Sequence, residues 1–446
     1  MSVKRVLAIL LCIGMLPAMS ACSFRIQSVD SLMRAPKLTG VNQLTEQTLE
    51  KSVGGDIILK IPLTGRYASA FVYNDLDGDG TEECVAFYAS KTDSDAVHMN
   101  LLAQDNGQWY SVCDAVGSGS DVGAVAFADV DGDGVSEIIV TWSIAESKES
   151  RFLTLYGKYN KNDGVVALMN EKFTATHTLD VNRDGKDEIF IASLETVNNA
   201  YVAYGKLFAY NDGTGAIELV SVANLDPAVT SYLQIVDDTD GGICRLYIDG
   251  VVSQTHISTQ IVEIPADSMI LRLPLPEDRE FSNLTLRTGR LCCADIDNDG
   301  RIEVPGYEEL SAGEVLDRDN GVAEGLRMTV WKQYRGGMLT AVRRYIESPD
   351  GDYSFTLPAD VIGTVTAVYD VKNGRLRFYT LSPDHQKNHM LFYIEKGVFV
   401  ADEEETALTG GIIYRDESSI YSAVLTALGS AAGVELDRIR ACFDKA

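Results

Sequence analysis

Positive charge is what this chain is shortest of: 38 Lys and Arg stand against 65 Asp and Glu, for a net charge of −27 over 446 residues. Nucleic acid binding needs a basic face to displace phosphate counterions, so that class is excluded. After one apolar run near the N-terminus there is no second long one, and the rest is expected to be soluble once exported. No Cys-x-x-Cys pair is available for a zinc site. The nucleophile elbow G-x-S-x-G, the phosphate loop and the H-E-x-x-H zinc motif are likewise missing. The nearest approach is His385-Gln386-Lys387-Asn388-His389, which lacks the glutamate base and falls in a turn between strand-like segments 375–380 and 390–394. His98, His177 and His256 stand alone and read as surface or strand residues. No residue is assigned a catalytic role.

What the chain has in abundance is acid, and the acid is patterned. The nine-residue motif D-x-[DN]-x-D-G-x-x-E occurs four times, starting at Asp75, Asp129, Asp180 and Asp295. Side chains at positions 1, 3, 5 and 9 supply hard oxygen ligands to one cation, and position 7 supplies a backbone carbonyl. The first loop offers Asp75, Asp77, Asp79, Thr81 and Glu83; the second Asp129, Asp131, Asp133, Val135 and Glu137. The third offers Asp180, Asn182, Asp184, Lys186 and Glu188; the fourth Asp295, Asp297, Asp299, Arg301 and Glu303. Gly80, Gly134, Gly185 and Gly300 at position 6 permit the sharp turn. Ligand charge tunes calcium affinity, so the third loop, with Asn182 in place of an acid and Arg183 inside it, is expected to bind most weakly.

The loops start 54, 51 and 115 residues apart, so a further copy is due near position 237. Asp237-Asp238-Thr239-Asp240-Gly241-Gly242 stands there, a degenerate repeat with no confident site. A period of this length signals a propeller or an array. In an EF-hand, position 12 is a bidentate glutamate and a helix follows. Here position 12 is Ala86, Val140, Ile191 or Gly306, and the first three loops run into β-branched and aromatic segments that read as strands.

On these loops and their strand context the chain resembles the FG-GAP/VCBS repeat family. The resemblance implies an all-β fold: an integrin-α-type β-propeller over residues 55–415, with three or four structural Ca2+ ions. Hairpin signals recur between the loops at Asp105-Asn106-Gly107, Asn162-Asp163-Gly164, Asn211-Asp212-Gly213 and Lys372-Asn373-Gly374. Each unit therefore holds about four strands, and the span has room for about seven blades, with six or eight as alternatives. To close the ring, segment 56–61 is expected to pair with segment 411–414.

Residues 1–21 read as a secretory signal: Lys4 and Arg5, an apolar run from Val6 to Leu16, then Met19-Ser20-Ala21 before Cys22. This resembles a bacterial lipoprotein signal and implies lipid on Cys22. The expected location is the outer face of the cell membrane, or the outer membrane if there are two. Residues 22–54 are expected to be a tether and a short helix with Leu44, Leu49 and Val53 on one face, stopped by Gly54-Gly55. Residues 416–446 are expected to be a helical segment, from the stripe Ile420, Val424 and Leu428. Cys84, Cys113, Cys244, Cys292, Cys293 and Cys442 permit up to three disulfides or none.

The expected function is a lipid-anchored, calcium-binding propeller that binds a protein or a glycan. Two alternatives stay open: a carbohydrate-active enzyme, either polysaccharide lyase or hydrolase, and an envelope-assembly scaffold. Trp109, Trp142, Trp331 and Tyr334 belong either to a sugar-stacking platform or to the core.

Overall fold

The computed structural model describes residues 40–445 except 145–146, 160–163, 199, 275–283, 311–325, 382–388 and 398–409. Cys22 and the signal, His385, and the start of the Asn162 turn lie outside the described residues. The described strands form six antiparallel sheets of four or five strands each. Taken in order, they occupy residues 57–116, 121–173, 175–225, 231–288, 303–356 and 365–425. The inner strands are the apolar runs, buried on both faces. Glu83–Ser90 is buried at every position but its last, whereas the edge strand Gln108–Val116 has no fully buried residue. Asn106 and Gly107, with φ of 49° and 78°, make the tight turn between Asp93–Asp105 and Gln108–Val116.

Hydrophobic burial joins each sheet to the next. Phe87 and Met99 of the first meet Trp142 and Val140 of the second. Ile139 and Leu153 then meet Ile191 and Phe208, Phe190 and Leu207 meet Leu246 and Ile248, and Tyr247 and Ile261 meet Val304 and Tyr334. Val330, Ile346 and Phe355 of the fifth meet Phe378, Ile394 and Tyr421 of the sixth. Each such fully buried side chain contributes about 1.5–3 kcal/mol by leaving water. Among the described residues, no core cluster joins the sixth sheet to the first.

A buried ion pair adds a polar core to the fourth sheet. Arg287 and Asp249 are fully buried, 2.7 Å apart. Asp249 also accepts from Thr259 Oγ1 at 2.6 Å and from the Cys293 backbone N–H at 2.7 Å, so its lone pairs are satisfied.

The described strands group into six sheets, where about seven units were the first expectation and six an alternative. Three expectations need correction. Segment 56–61 does not pair with 411–414. Ile57–Leu59 pairs with Glu83–Ser90, and Gly411–Arg415 pairs with Ile420–Leu425, in both cases a local partner that costs less loop entropy. The Ile420, Val424 and Leu428 stripe is not helical. Ile420–Leu425 is a strand buried between Met390–Gly397 and Gly411–Arg415, and helices begin only at Ala427–Ala431 and Leu436–Ala441. The chain then returns as a strand, Phe443–Lys445, on the edge of the fifth sheet.

The helix Val41–Val53 packs Leu49 and Val53 on the first sheet and stops at Gly54, whose φ is 89°. Leu44, expected on the same face, is 51% exposed; Thr45 faces inward instead, 3.1 Å from the Tyr73 hydroxyl. All six described cysteines are free thiols.

Candidate metal centres

The first three loops make the same connection, from a strand to the buried inner strand that pairs with it. They link Phe71–Asn74 to Glu83–Ser90, Asp121–Ala128 to Glu137–Ile144, and Ala175–Leu179 to Glu188–Val197. The fourth leads into Glu303–Glu309 and is closed at its base by a bridge between Ala294 and Glu303.

Within each loop, side-chain oxygens hold the turn by accepting backbone N–H groups. The first aspartate grips position 6: Gly80, Gly134, Gly185 and Gly300 each donate at 2.9 Å to Asp75, Asp129, Asp180 and Asp295. Position 3 accepts from position 5, at 3.2 Å for Asp77, 3.1 Å for Asp131, 2.9 Å for Asn182 and 3.2 Å for Asp297. Position 5 accepts from position 7, so the Thr81, Val135, Lys186 and Arg301 N–H groups donate to Asp79, Asp133, Asp184 and Asp299 at 2.8–2.9 Å. The glutamates at position 9 turn back and accept from position 2, at 2.8 Å for Glu83, 2.9 Å for Glu137, 2.8 Å for Glu188 and 3.0 Å for Glu303.

The position 6 glycines have φ of 81–88° with open space where a Cβ would be, so backbone conformation is what demands glycine there. Position 4 is also left-handed, which the motif reading passed over: Gly78, Gly132, Arg183 and Asn298 have φ of 76°, 77°, 62° and 59°. Glycine and asparagine there are the legible signal.

The donor sets fit a cation. Carboxylate oxygens of Asp75, Asp77 and Glu83 lie within 4.8 Å of one another, as do those of Asp129, Asp131 and Glu137, and of Asp295, Asp297 and Asp299. Such all-oxygen clusters can hold a hard metal ion. The structure does not bring every expected ligand in: Asp79, Asp133 and Glu303 stay outside their own trios. Asp133 pairs with Lys158, and Glu303 accepts from Gln333 Nε2 at 2.6 Å, which also reaches Asp299 at 3.1 Å. The third loop forms no such trio, and its Asn182 amide donates instead to Asp184 at 3.0 Å.

Charge makes the case for a cation stronger. The position 9 glutamates are at most 3% exposed. Burial, with the loop aspartates adding to it, pushes the carboxyls of Glu83, Glu137 and Glu188 up to about 7, and that of Glu303 up as well. The Lys158 hydrogen bond holds Asp133 below the usual carboxylate range.

The loops are neighbours. A Cβ at Gly78 would lie 3.0 Å from Val135, one at Gly132 would lie 2.9 Å from Lys186, and the Asp187 N–H donates to the Asp129 carbonyl at 2.8 Å. The degenerate repeat forms no loop. Gly241 and Gly242, both left-handed, close a tight hairpin between Ser231–Asp240 and Ile243–Val251. Its acids serve structure: Asp238 accepts from Tyr247 and from the Ile302 N–H, both at 3.0 Å, and Asp237 meets His177 at 2.8 Å.

The other histidines are committed as well. His98 binds Asp114 at 2.9 Å and stacks on Tyr88, His256 meets Thr255 at 2.9 Å, and His389 engages Thr380 through its backbone. Trp142 is core, and Trp109 packs edge-on against Tyr73 near the helix. Trp331 lines a cleft, and Tyr334 belongs to the core between the fourth and fifth sheets. Among the described residues, no helix is long and apolar enough to cross a membrane.

No family model and no curated protein matches the chain. Among solved structures, the rhamnogalacturonan lyase YesW has a TM-score of 0.31 at 13% identity, over 70% of this chain and 75% of that one. A Bacillus licheniformis rhamnogalacturonan lyase has a TM-score of 0.31 at 12% identity, over 71% and 81%. A protein from Lactobacillus plantarum has 0.29 at 11%, over 74% and 86%. Likenesses this loose say nothing of what this chain binds or catalyses.

Proposed function

We propose that this chain is an exported, lipid-anchored protein of the FG-GAP/VCBS type. Its sheets are the blades of a β-propeller stiffened by calcium, and it binds a protein or a glycan outside the cell. The observation that carries the reading is the repetition of one bonding scheme in four loops, three of them at the same turn of successive sheets. Calcium suits the loops because they offer only oxygen, from carboxylates and backbone, in a flexible surface turn. Its role is structural: the same ligands recur in every loop, and a bound cation offsets the repulsion among carboxylates that otherwise opposes the turn. The anchor is lipid on Cys22, beyond the described residues.

Retention on immobilised glycan polymers and envelope proteins, scored together with release of new reducing or unsaturated ends, tests the binding role. Retention without cleavage is the expected result. New chain ends would make the protein a carbohydrate-active enzyme instead, and retention of nothing would overturn the binding role.

A further inference from the structure

One cleft of about 380 Å³ lies on the fifth sheet, outside the metal loops but touching one of them. That volume is at the lower end of the range for small-ligand pockets, about 300–1,000 Å³. Trp331, Tyr345 and Tyr353 supply aromatic walls, Arg343, Glu347 and Ser354 polar ones, and Ile296 borders it from the fourth loop. Ile296 is itself held by the 3.0 Å bond from its N–H to Glu303, so the loop sets one edge of the cleft.

The strands beside the cleft are basic in sequence, with Arg343 paired to Asp444 and Arg344 to Glu308, and Glu347 the one acid that lines the cleft. In a chain of net charge −27, residues 326–345 contain five basic residues, Arg327, Lys332, Arg335, Arg343 and Arg344, and no acid. Arg343 lies 5.6 Å from the Tyr345 ring and uses Nη2 for Asp444, at 2.7 Å, and for Thr356. Its remaining nitrogens have no hydrogen-bond partner among the described residues, so donors are left for a planar anion.

Resting on the binding role proposed above, we infer that this cleft binds an acidic sugar unit of a glycan, its carboxylate on Arg343 and its ring against Tyr345. Glu347 and Ser354 are matched to the hydroxyls of such a unit, one as acceptor and the other as donor or acceptor. An acidic peptide also offers a carboxylate to Arg343 but lacks the ring hydroxyls that Glu347 and Ser354 would bind.

Calorimetry with trigalacturonate, its methyl ester and a glutamate hexapeptide tests the assignment on the folded protein. Trigalacturonate is expected to bind about tenfold more tightly than the ester or the peptide, a difference of one charge-assisted pair. Arg343→Lys, which keeps the charge and loses the fork, and Tyr345→Leu, which keeps bulk and loses the flat ring, should each weaken it about tenfold with an unchanged melting midpoint. Equal binding of the ester or the peptide overturns the acidic-sugar assignment. Undiminished binding by both folded variants overturns the site but leaves glycan binding standing. Retention of some other glycan polymer with no trigalacturonate bound also overturns the assignment alone, whereas retention of no polymer at all removes glycan binding with it.

Discussion

At position 4 of the third loop an arginine sits where its backbone does not want one. Arg183 has a φ of 62°, a region that costs an ordinary L-residue about 1–2 kcal/mol and that glycine or asparagine enters more cheaply. Asn298 already occupies the equivalent place in the fourth loop, at 59°. Arg183→Asn should therefore stabilise the protein by about 0.5–1 kcal/mol, read as a higher denaturation midpoint in calcium. An unchanged or lower midpoint would mean that the Arg183 side chain gives back what its backbone costs. The turn bonds accepted by positions 1, 3, 5 and 9 follow the spacing of the motif, because they are local and fall at fixed offsets. The bonds from Gln333 to Glu303 and Asp299 were not, because they join residues 30 or more positions apart that only the sheet register brings together.

Among the elements, short apolar runs were the least legible. Ile420-Tyr421-Ser422-Ala423-Val424-Leu425 satisfies a helical stripe and a buried strand alike, and periodicity alone cannot separate them. The neighbours decide: Met390–Gly397 and Gly411–Arg415 flank it and take up its backbone hydrogen bonds. The last strand carried even less signal, yet Phe443 is 8% exposed and its ring stacks on Tyr353 at 5.0 Å and meets Tyr421 at 5.1 Å. Phe443→Ala should cost about 3–5 kcal/mol, seen as a lower denaturant midpoint. A change below about 1 kcal/mol would show that the C-terminal strand is an ornament on the fifth sheet rather than part of its core. Turn chemistry was more readable, since Asn106-Gly107 announces its left-handed pair directly.

For the molecule as a whole, the repeat of about fifty residues predicted a succession of similar all-β units, and the six sheets follow one another in chain order, each packed on the next. The number of units was harder to read, because the fourth and sixth sheets lack the intact loop that marks the others. Partners across the fold were invisible because a short strand can satisfy its backbone on a partner near in sequence, as Ile57–Leu59 does with Glu83–Ser90. The acidic excess has a place in the structure, since part of it gathers at the four repeated loops, where buried glutamates stand beside aspartates. Thermal unfolding of the chain from residue 23 onward, in calcium and in chelator, with ion stoichiometry by calorimetry, tests the metal role most directly. Each site filled to about a hundred times its dissociation constant adds about 2.7 kcal/mol, so a large rise in midpoint with three or four ions bound is expected. No shift and no bound ion would contradict calcium as the stiffener of this fold.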